Sequence, residues 1–379
     1  MTMSDFVHLH LHTTYSLLDG QCQIKPLVAK AKSLGMEALA VTDHGNLFAL
    51  KAFYDECRKQ SVKPILGVEA YIVDHDYRER HEYFRLHPGV KEKRFHLCLF
   101  AKNLTGYRNL VKLVSEAHIN GKYQRPRIDH KLLEKFHEGL MCSSACIAGE
   151  VQYYLDEDIT AGGHDDEKAK EIALWYKNLF GDDYALEVML HETQKVPKQV
   201  RNEAGEVIEL IDNAAILGMK QLYQRQKKVA RKVIELGRNL DIRVMATNDV
   251  HFIEKEDDDS HDVLLALSTK KNLDDPTRLI YTGQEYFKTQ EEMASLFCDN
   301  PEVIAATGQF AQKVELYELN SEPIMPKFPI PPEFGTEEQY AAKYTEEILR
   351  QEFDKYDRFN GIDKVLRIKL EADYLSHLV

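Results

Sequence analysis

Between residues 6 and 250, short apolar or β-branched runs alternate with amphipathic helical stretches, which restricts the chain to an α/β architecture. The pattern predicts strands at 6–12, 38–42, 64–73, 95–101, 139–143, 184–190 and 243–247. Helices are predicted at 24–34, 46–60, 105–118, 131–136, 148–155, 167–180 and 219–240. Strands so separated point to a parallel sheet or a closed barrel. Two polar stretches, 74–94 and 192–214, lack a period and read as surface loops. Beyond residue 270 the style changes. Helical pieces at 289–296 and 301–313 lead to an extended connector at 320–336, which holds Pro323, Pro326, Pro329, Pro331 and Pro332. Charged helices are predicted at 337–355 and 363–378. The expected division is a barrel over 1–270 and a mostly helical extension over 271–379.

Composition narrows the function. The chain has 49 Lys+Arg against 62 Asp+Glu, a net charge of −13. Gripping duplex DNA by neutralising phosphates alone calls for a basic surface, so autonomous duplex binding is not expected. No apolar run reaches the ~18–20 residues of a membrane span, and residues 1–7 lack the features of a secretory signal. Six cysteines without a CxxC pair, in a chain too large to need disulfides, point to a reducing cytoplasmic compartment.

The most informative motif is Val7-His8-Leu9-His10-Leu11-His12-Thr13. Strand alternation would place its three imidazoles on one face, a costly arrangement unless metal or solvent occupies it. Further metal-competent side chains sit near the ends of the other strands. Asp19 follows strand one, His44 strand two, Cys146 strand five, and Asp249 and His251 strand seven; Glu69 lies late in strand three and His96 in strand four. In parallel barrels the C-terminal strand ends are where active sites are built. His10, His12, His44, His96, His251, Asp19, Glu69, Asp249 and Cys146 outnumber the ligands of one ion. They suit two or three ions sharing a bridging carboxylate, a centre fit for phosphoester hydrolysis. Mixed N/O ligation with one sulfur favours Zn, Mn or Fe.

These motifs resemble the PHP (polymerase and histidinol phosphatase) family, and within it the N-terminal part of bacterial replicative DNA polymerase III alpha subunits. The resemblance is carried by Phe6 to Gly20, Ala40 to Phe48, Lys63 to Tyr71, Pro126 to Asp129, Ser144 to Glu150 and Ala246 to His251. It implies a distorted (β/α)7 barrel with a helical extension that leads toward, but stops before, a polymerase palm. It implies that the nine donors named above hold a trinuclear centre, with His10, His12, Asp249 and His251 catalytic. It implies a 3′–5′ exonuclease acting on a single-stranded or primer 3′ DNA end, delivered by the rest of the alpha subunit, a proofreading exonuclease subunit or the sliding clamp. His8 stands where relatives carry Asp and is expected to orient a ligand. Two rival readings are a metal-stabilised docking module without catalysis and a free-standing phosphatase of the histidinol-phosphate type. No palm motif is present. Asp156 to Asp158 and Asp257 to Asp259 read as solvated acidic runs, so polymerisation is not expected. Arg127 is a candidate phosphate contact, weighed against a salt bridge to Asp129. The basic run 225–238 reads as a solvated face, and Cys142 as a buried thiol.

Overall fold

The alternation of apolar runs and amphipathic helices produces a curled mixed sheet wrapped by helices. The computed structural model describes residues 6–79, 85, 86, 89, 92–159, 164–201, 207–324 and 329–360; the helix expected at 363–378 lies outside them. In chain order the elements of the first half are α1 (Ile24–Ser33), β1 (Ala38–Val41), α2 (Leu50–Gln60), β2 (Lys63–Val73), β3 (Phe95–Ala101), α3 (Leu104–Ile119), β4 (Lys122–Tyr123), β5 (Arg125–Asp129), α4 (His130–Phe136) and β6 (Leu140–Ser143). There follow α5 (Glu150–Leu155), α6 (Asp166–Phe180), β7 (Tyr184–Val188), β8 (Lys198–Arg201), β9 (Val207–Ile211), α7 (Asn213–Leu240), β10 (Arg243–Ala246), α8 (Asp258–Thr269), α9 (Gln290–Leu296), α10 (Glu302–Gln312) and α11 (Glu337–Asn360). The main sheet runs β10-β7-β6-β3-β2-β5-β4, with β1 also paired to β2.

The sheet is not uniformly parallel. β1–β2, β6–β7 and β7–β10 are parallel, but β3 runs antiparallel to both β2 and β6. A parallel return needs a crossover element, and the 74–94 connection supplies no long helix among its described residues.

The segment expected as the first strand is extended but irregular, with a bend at His10. It joins β1 through Ala40 N to His8 O (3.0 Å) and Thr42 N to Leu11 O (2.8 Å). On its other side it joins the chain after β10 through His12 N to Val250 O (2.7 Å) and Val250 N to His10 O (3.1 Å). Those bonds carry the sheet round into the distorted barrel.

Alternate strand residues feed two apolar layers. Ala38, Ala40, Ile65, Cys98, Phe100, Met141, Ala185 and Met245 pack together inside, where Phe310 of α10 also lies. Leu39, Val41, Leu66, Leu99, Cys142, Leu186 and Ala246 pack outward beneath the helices.

Three expectations change. The 192–214 stretch contains the β8–β9 hairpin, and α7 begins at Asn213 because the Asp212 carboxylate accepts from Ala215 N at 2.7 Å. β5 was not anticipated, since its charged, proline-containing sequence becomes a strand only through pairing with β2. The first compact unit extends to Leu319 rather than 270, because Phe287, Met293, Phe297, Val303 and Ile304 are buried in the barrel's outer layer. The second unit begins at Asn320. Its helix α11 is preceded by Phe334, whose ring meets that of Tyr340 edge-on at 5.0 Å.

Candidate metal centre

All nine predicted donors meet at one end of the barrel. His44 follows β1, Cys146 follows β6, and Asp249 and His251 follow β10, each beyond a strand's C-terminal end. His96 opens β3, yet lies at the same end because β3 is reversed; its register partner on β2 is Tyr71, while Glu69 pairs with Cys98. Three non-glycine residues adopt left-handed backbone at these turns: Leu18 (φ 59°) before Asp19, Ala145 (φ 58°) before Cys146, and Asp249 itself (φ 46°). Such strain, of order 1–3 kcal/mol each, persists where the surroundings over-determine a functional geometry.

The donors form a graded bowl. His10, His12 and Glu69 form its buried floor, whereas the side chains of Asp19 (22 % exposed), His44 (14 %), His96 (23 %) and Asp249 (20 %) face solvent. Glu69 lies at the hub. Its Oε1 is 2.8 Å from His96 Nδ1 and 3.1 Å from His10 Nε2, and its Oε2 is 2.7 Å from His44 Nδ1 and 3.5 Å from His12 Nε2. Asp249 Oδ1 lies 3.1 Å from His12 Nε2 and 3.3 Å from His10 Nε2. Asp19 Oδ2 lies 2.7 Å from His44 Nε2 and 3.6 Å from His251 Nε2. Cys146 Sγ is 3.6 Å from His96 Nδ1.

Which ring nitrogens face the bowl is set from outside it. His12 Nδ1 donates to Ser16 Oγ (3.0 Å), whose hydroxyl donates to Asp43 (2.7 Å), and His251 Nδ1 donates to Asp249 O (2.7 Å). His10 Nδ1 donates to Glu187 Oε2 at 2.9 Å. Each of these rings therefore turns its Nε2 inward. His12 Nε2, His44 Nδ1, His251 Nε2, Glu69 Oε2 and Asp249 Oδ1 are buried without a hydrogen-bond partner. They lie close together but are misaligned for bonding to one another. Orphaned buried groups are costly, and donors aimed at shared points fit cations. Three overlapping triads satisfy ligand spacing: His12–His44–His251, His10–His12–Glu69 and Glu69–His96–Cys146, with His12 and Glu69 each shared.

The electrostatics divide the imidazoles: against their burial, neighbouring anions raise His10 and His44 well above the usual histidine value. Burial, with help from His44 and His251, pushes His12 down to about 3 and keeps its lone pair free. Burial alone would raise Glu69 and Asp249, but the surrounding imidazoles hold both carboxylates below their usual range. His251 is instead pushed up to about 9, because Asp249 and Asp19 outweigh its burial.

Two expectations fail here. His8 is buried against Phe287 (4.3 Å between ring centroids), its Nε2 is 2.8 Å from Lys288 O, and it reaches no donor. Val7 and Leu9 face the inner layer while Leu11 faces the outer one. The alternation thus slips at the His10 bend, separating His8 from His10 and His12. Arg127 is fully buried, bonded to Gly121 O (2.9 Å), Tyr77 O (2.9 Å), Glu79 O (2.7 Å) and the Glu92 carboxylate, so it cannot meet a substrate. Two residues earlier on β5, exposed Arg125 lies over the Tyr71 ring at 5.5 Å and forms no ion pair among the described residues. That ring is 5.3 Å from His96 and 6.2 Å from His44. Gly45 (φ +59°) allows this approach, since a Cβ there would lie 2.7 Å from Pro126 and 3.2 Å from Tyr71.

Sequence reasoning missed Glu187, Ser16 and Asp43. For Glu187 a signal existed, a lone carboxylate within the otherwise apolar strand β7; Ser16 and Asp43 carry none beyond their neighbours.

Residues 8–191 match the family model described as the PHP domain. The chain is 39% identical over 368 residues to DNA polymerase III subunit alpha of Campylobacter jejuni, covering 96% of this chain and 27% of that protein. It is 38% identical over 376 residues to the Treponema pallidum protein of the same name, covering 99% and 28%. It thus spans little more than a quarter of these relatives. A solved structure from Bifidobacterium adolescentis, described as a proposed metal-dependent phosphoesterase, overlaps 76% of this chain and 95% of its own, with 13% identity and a TM-score of 0.34. Residues 8–191 are thus a PHP domain, within a chain that is similar along nearly its whole length to about a quarter of DNA polymerase III alpha subunits.

Proposed function

We propose that the nine-donor bowl holds two or three divalent ions, of Zn, Mn or Fe type, and hydrolyses phosphodiesters at a DNA 3′ end. The carrying observation is the set of buried, unpartnered donor atoms converging on shared points. When bound, such ions activate water and polarise a phosphoryl oxygen. The chain's own residues do the rest. Ser16, Glu187 and the Asp249 carbonyl hold three imidazoles with Nε2 inward, so little reorganisation remains on binding. The exposed edge formed by Asp19, His44, His96 and Asp249 is where substrate arrives. Arg125, braced on Tyr71, is placed to take a neighbouring backbone phosphate in the role that sequence reading gave Arg127.

The net charge of −13 supports delivery of the DNA end by other parts of a replicase, namely the remainder of an alpha subunit, a proofreading exonuclease subunit or the sliding clamp, in the cytoplasm.

The test combines metal analysis of protein purified without chelator and a 3′-mismatched primer assay with His12→Ala and Asp249→Ala controls. Two or three ions per chain, with trimming abolished by chelator and by either substitution, is the expected result. Ions without trimming would favour a docking module. Less than one ion in folded protein would overturn the reading.

A further inference from the structure

Glu187 lies inside the barrel on β7, beneath the bowl and 2 % exposed. By residue type and position it belongs to a fourth cluster with ligand spacing, His10–Cys98–Glu187, all three buried. Its bonding sets it apart from the donors above it. The bowl carboxylates Glu69 and Asp249 each keep an oxygen without a hydrogen-bond partner. Glu187 keeps none: Oε1 accepts from the Ser143 hydroxyl, and Oε2 accepts from Thr247 Oγ1 at 2.6 Å and His10 Nδ1 at 2.9 Å.

Its backbone is held as firmly. Glu187 N donates to Ser144 Oγ at 2.9 Å, and the Gln152 amide donates to Ser144 Oγ (2.6 Å), Ala145 O (3.1 Å) and Glu187 O (3.1 Å). The strand carrying Glu187 is thereby tied to the turn that carries Cys146. Thr247, two residues before Asp249, ties the same carboxylate to the end of β10. Three of the carboxylate's four or so lone-pair sites are thus taken by protein donors, and a carboxylate accepting from the far nitrogen of a ligand imidazole fixes that ring's tautomer and strengthens its donor.

We propose that Glu187 is a positioning residue: it locks His10 as the Nδ1–H tautomer with Nε2 aimed at Glu69 and Asp249, and is not itself a ligand. Cys98, 3.5 Å from His10 Nδ1, fills the barrel beside the pair as a buried thiol. This inference rests on the metal-centre reading above, and its test separates the two.

The full-length chain is prepared as wild type, Glu187→Gln and Glu187→Ala. Cobalt(II) affinity is measured by chelator competition, the visible spectrum is recorded, and the His10 tautomer is read from imidazole ¹⁵N shifts in metal-free protein. Wild type without metal, recorded at a pH high enough that His10, which the nearby anions raise against its burial, has shed its second proton, is expected to show the Nδ1–H tautomer. The folded variants are expected to bind cobalt about 10–100-fold more weakly, with Glu187→Gln closer to wild type than Glu187→Ala, and with a changed spectrum. Variants that lose thermal stability but keep wild-type cobalt affinity and spectrum would overturn the proposal, leaving Glu187 a purely structural group. If neither variant folds, an Nε2–H tautomer in wild type overturns it and an Nδ1–H tautomer upholds it. Should wild type bind no cobalt, the metal reading falls while the tautomer measurement still decides the pairing.

Discussion

Two buried charged clusters flank β2 and teach opposite lessons. Around Glu69, five buried nitrogen or oxygen atoms on five residues lack hydrogen-bond partners. Around Arg127, the guanidinium bonds to three carbonyls and to Glu92, which also meets His75 at 3.2 Å and Arg94 at 3.3 Å. Both clusters bury ionisable side chains at similar depth. One leaves its donors unsatisfied and converging, as a site for cations must. The other satisfies its donors internally, as a structural ion-pair cluster must. Burial and charge do not tell the two clusters apart; the convergence of several unpartnered donor atoms on shared points does.

The comparison can be broken in five ways, from the largest expected effect down. Glu69→Ala removes the carboxylate shared by two triads and is expected to cut phosphodiester hydrolysis at least about a thousandfold, with ion content falling in parallel by elemental analysis. Arg127→Met leaves Glu92, among the described residues, with His75 and Arg94, and should cost roughly 3 kcal/mol in denaturant unfolding while ion content per folded chain stays unchanged. Chelation should do the reverse. It lowers the thermal midpoint of wild type, by the equivalent of about 2.7 kcal/mol if free metal had stood at a hundred times its dissociation constant. The loss caused by Arg127→Met should be the same with or without chelator, because the clusters share no partner.

The smallest effects test the margins. Arg125→Ala should raise KM for a single-stranded oligonucleotide several-fold and reduce the salt slope of binding by about one, with kcat little changed. His75→Gln should flatten a pH dependence. Burial lowers His75, but Glu92 outweighs it, so His75 titrates above 6.5; its contribution is complete below pH 6.5 and is lost as pH rises through the raised value. Glu92 is held below 4.5 by His75 and Arg127 against its burial, so its contribution is present above pH 4.5 and is lost as pH falls. Wild type should therefore lose less than about 1 kcal/mol between pH 6 and 9 that the variant does not, measured by urea unfolding.

Much of the barrel was legible because strand and helix periodicities are local. β2 and β3 fall within a residue of their expected bounds. What escaped depended on pairing. β5 and the β8–β9 hairpin contain polar, weakly patterned residues that become strands only when a neighbour supplies the ladder. The direction of β3 followed from its connection, and the packing of 271–319 on the barrel from apolar residues too scattered to announce a core.

The chain's residues by themselves determined the chemistry on offer: five imidazoles, three carboxylates and a thiol placed at strand ends, each a donor whatever surrounds it. Tertiary structure decided which atoms are free to act. It turned His8 away at a bend, sealed Arg127 among carbonyls, brought His96 to the right end by reversing β3, and set Glu187 behind His10, 177 residues away in sequence. The reason is physical. Donor capacity belongs to a side chain's composition, whereas its orientation, tautomer and exposure are fixed by contacts between residues distant along the chain.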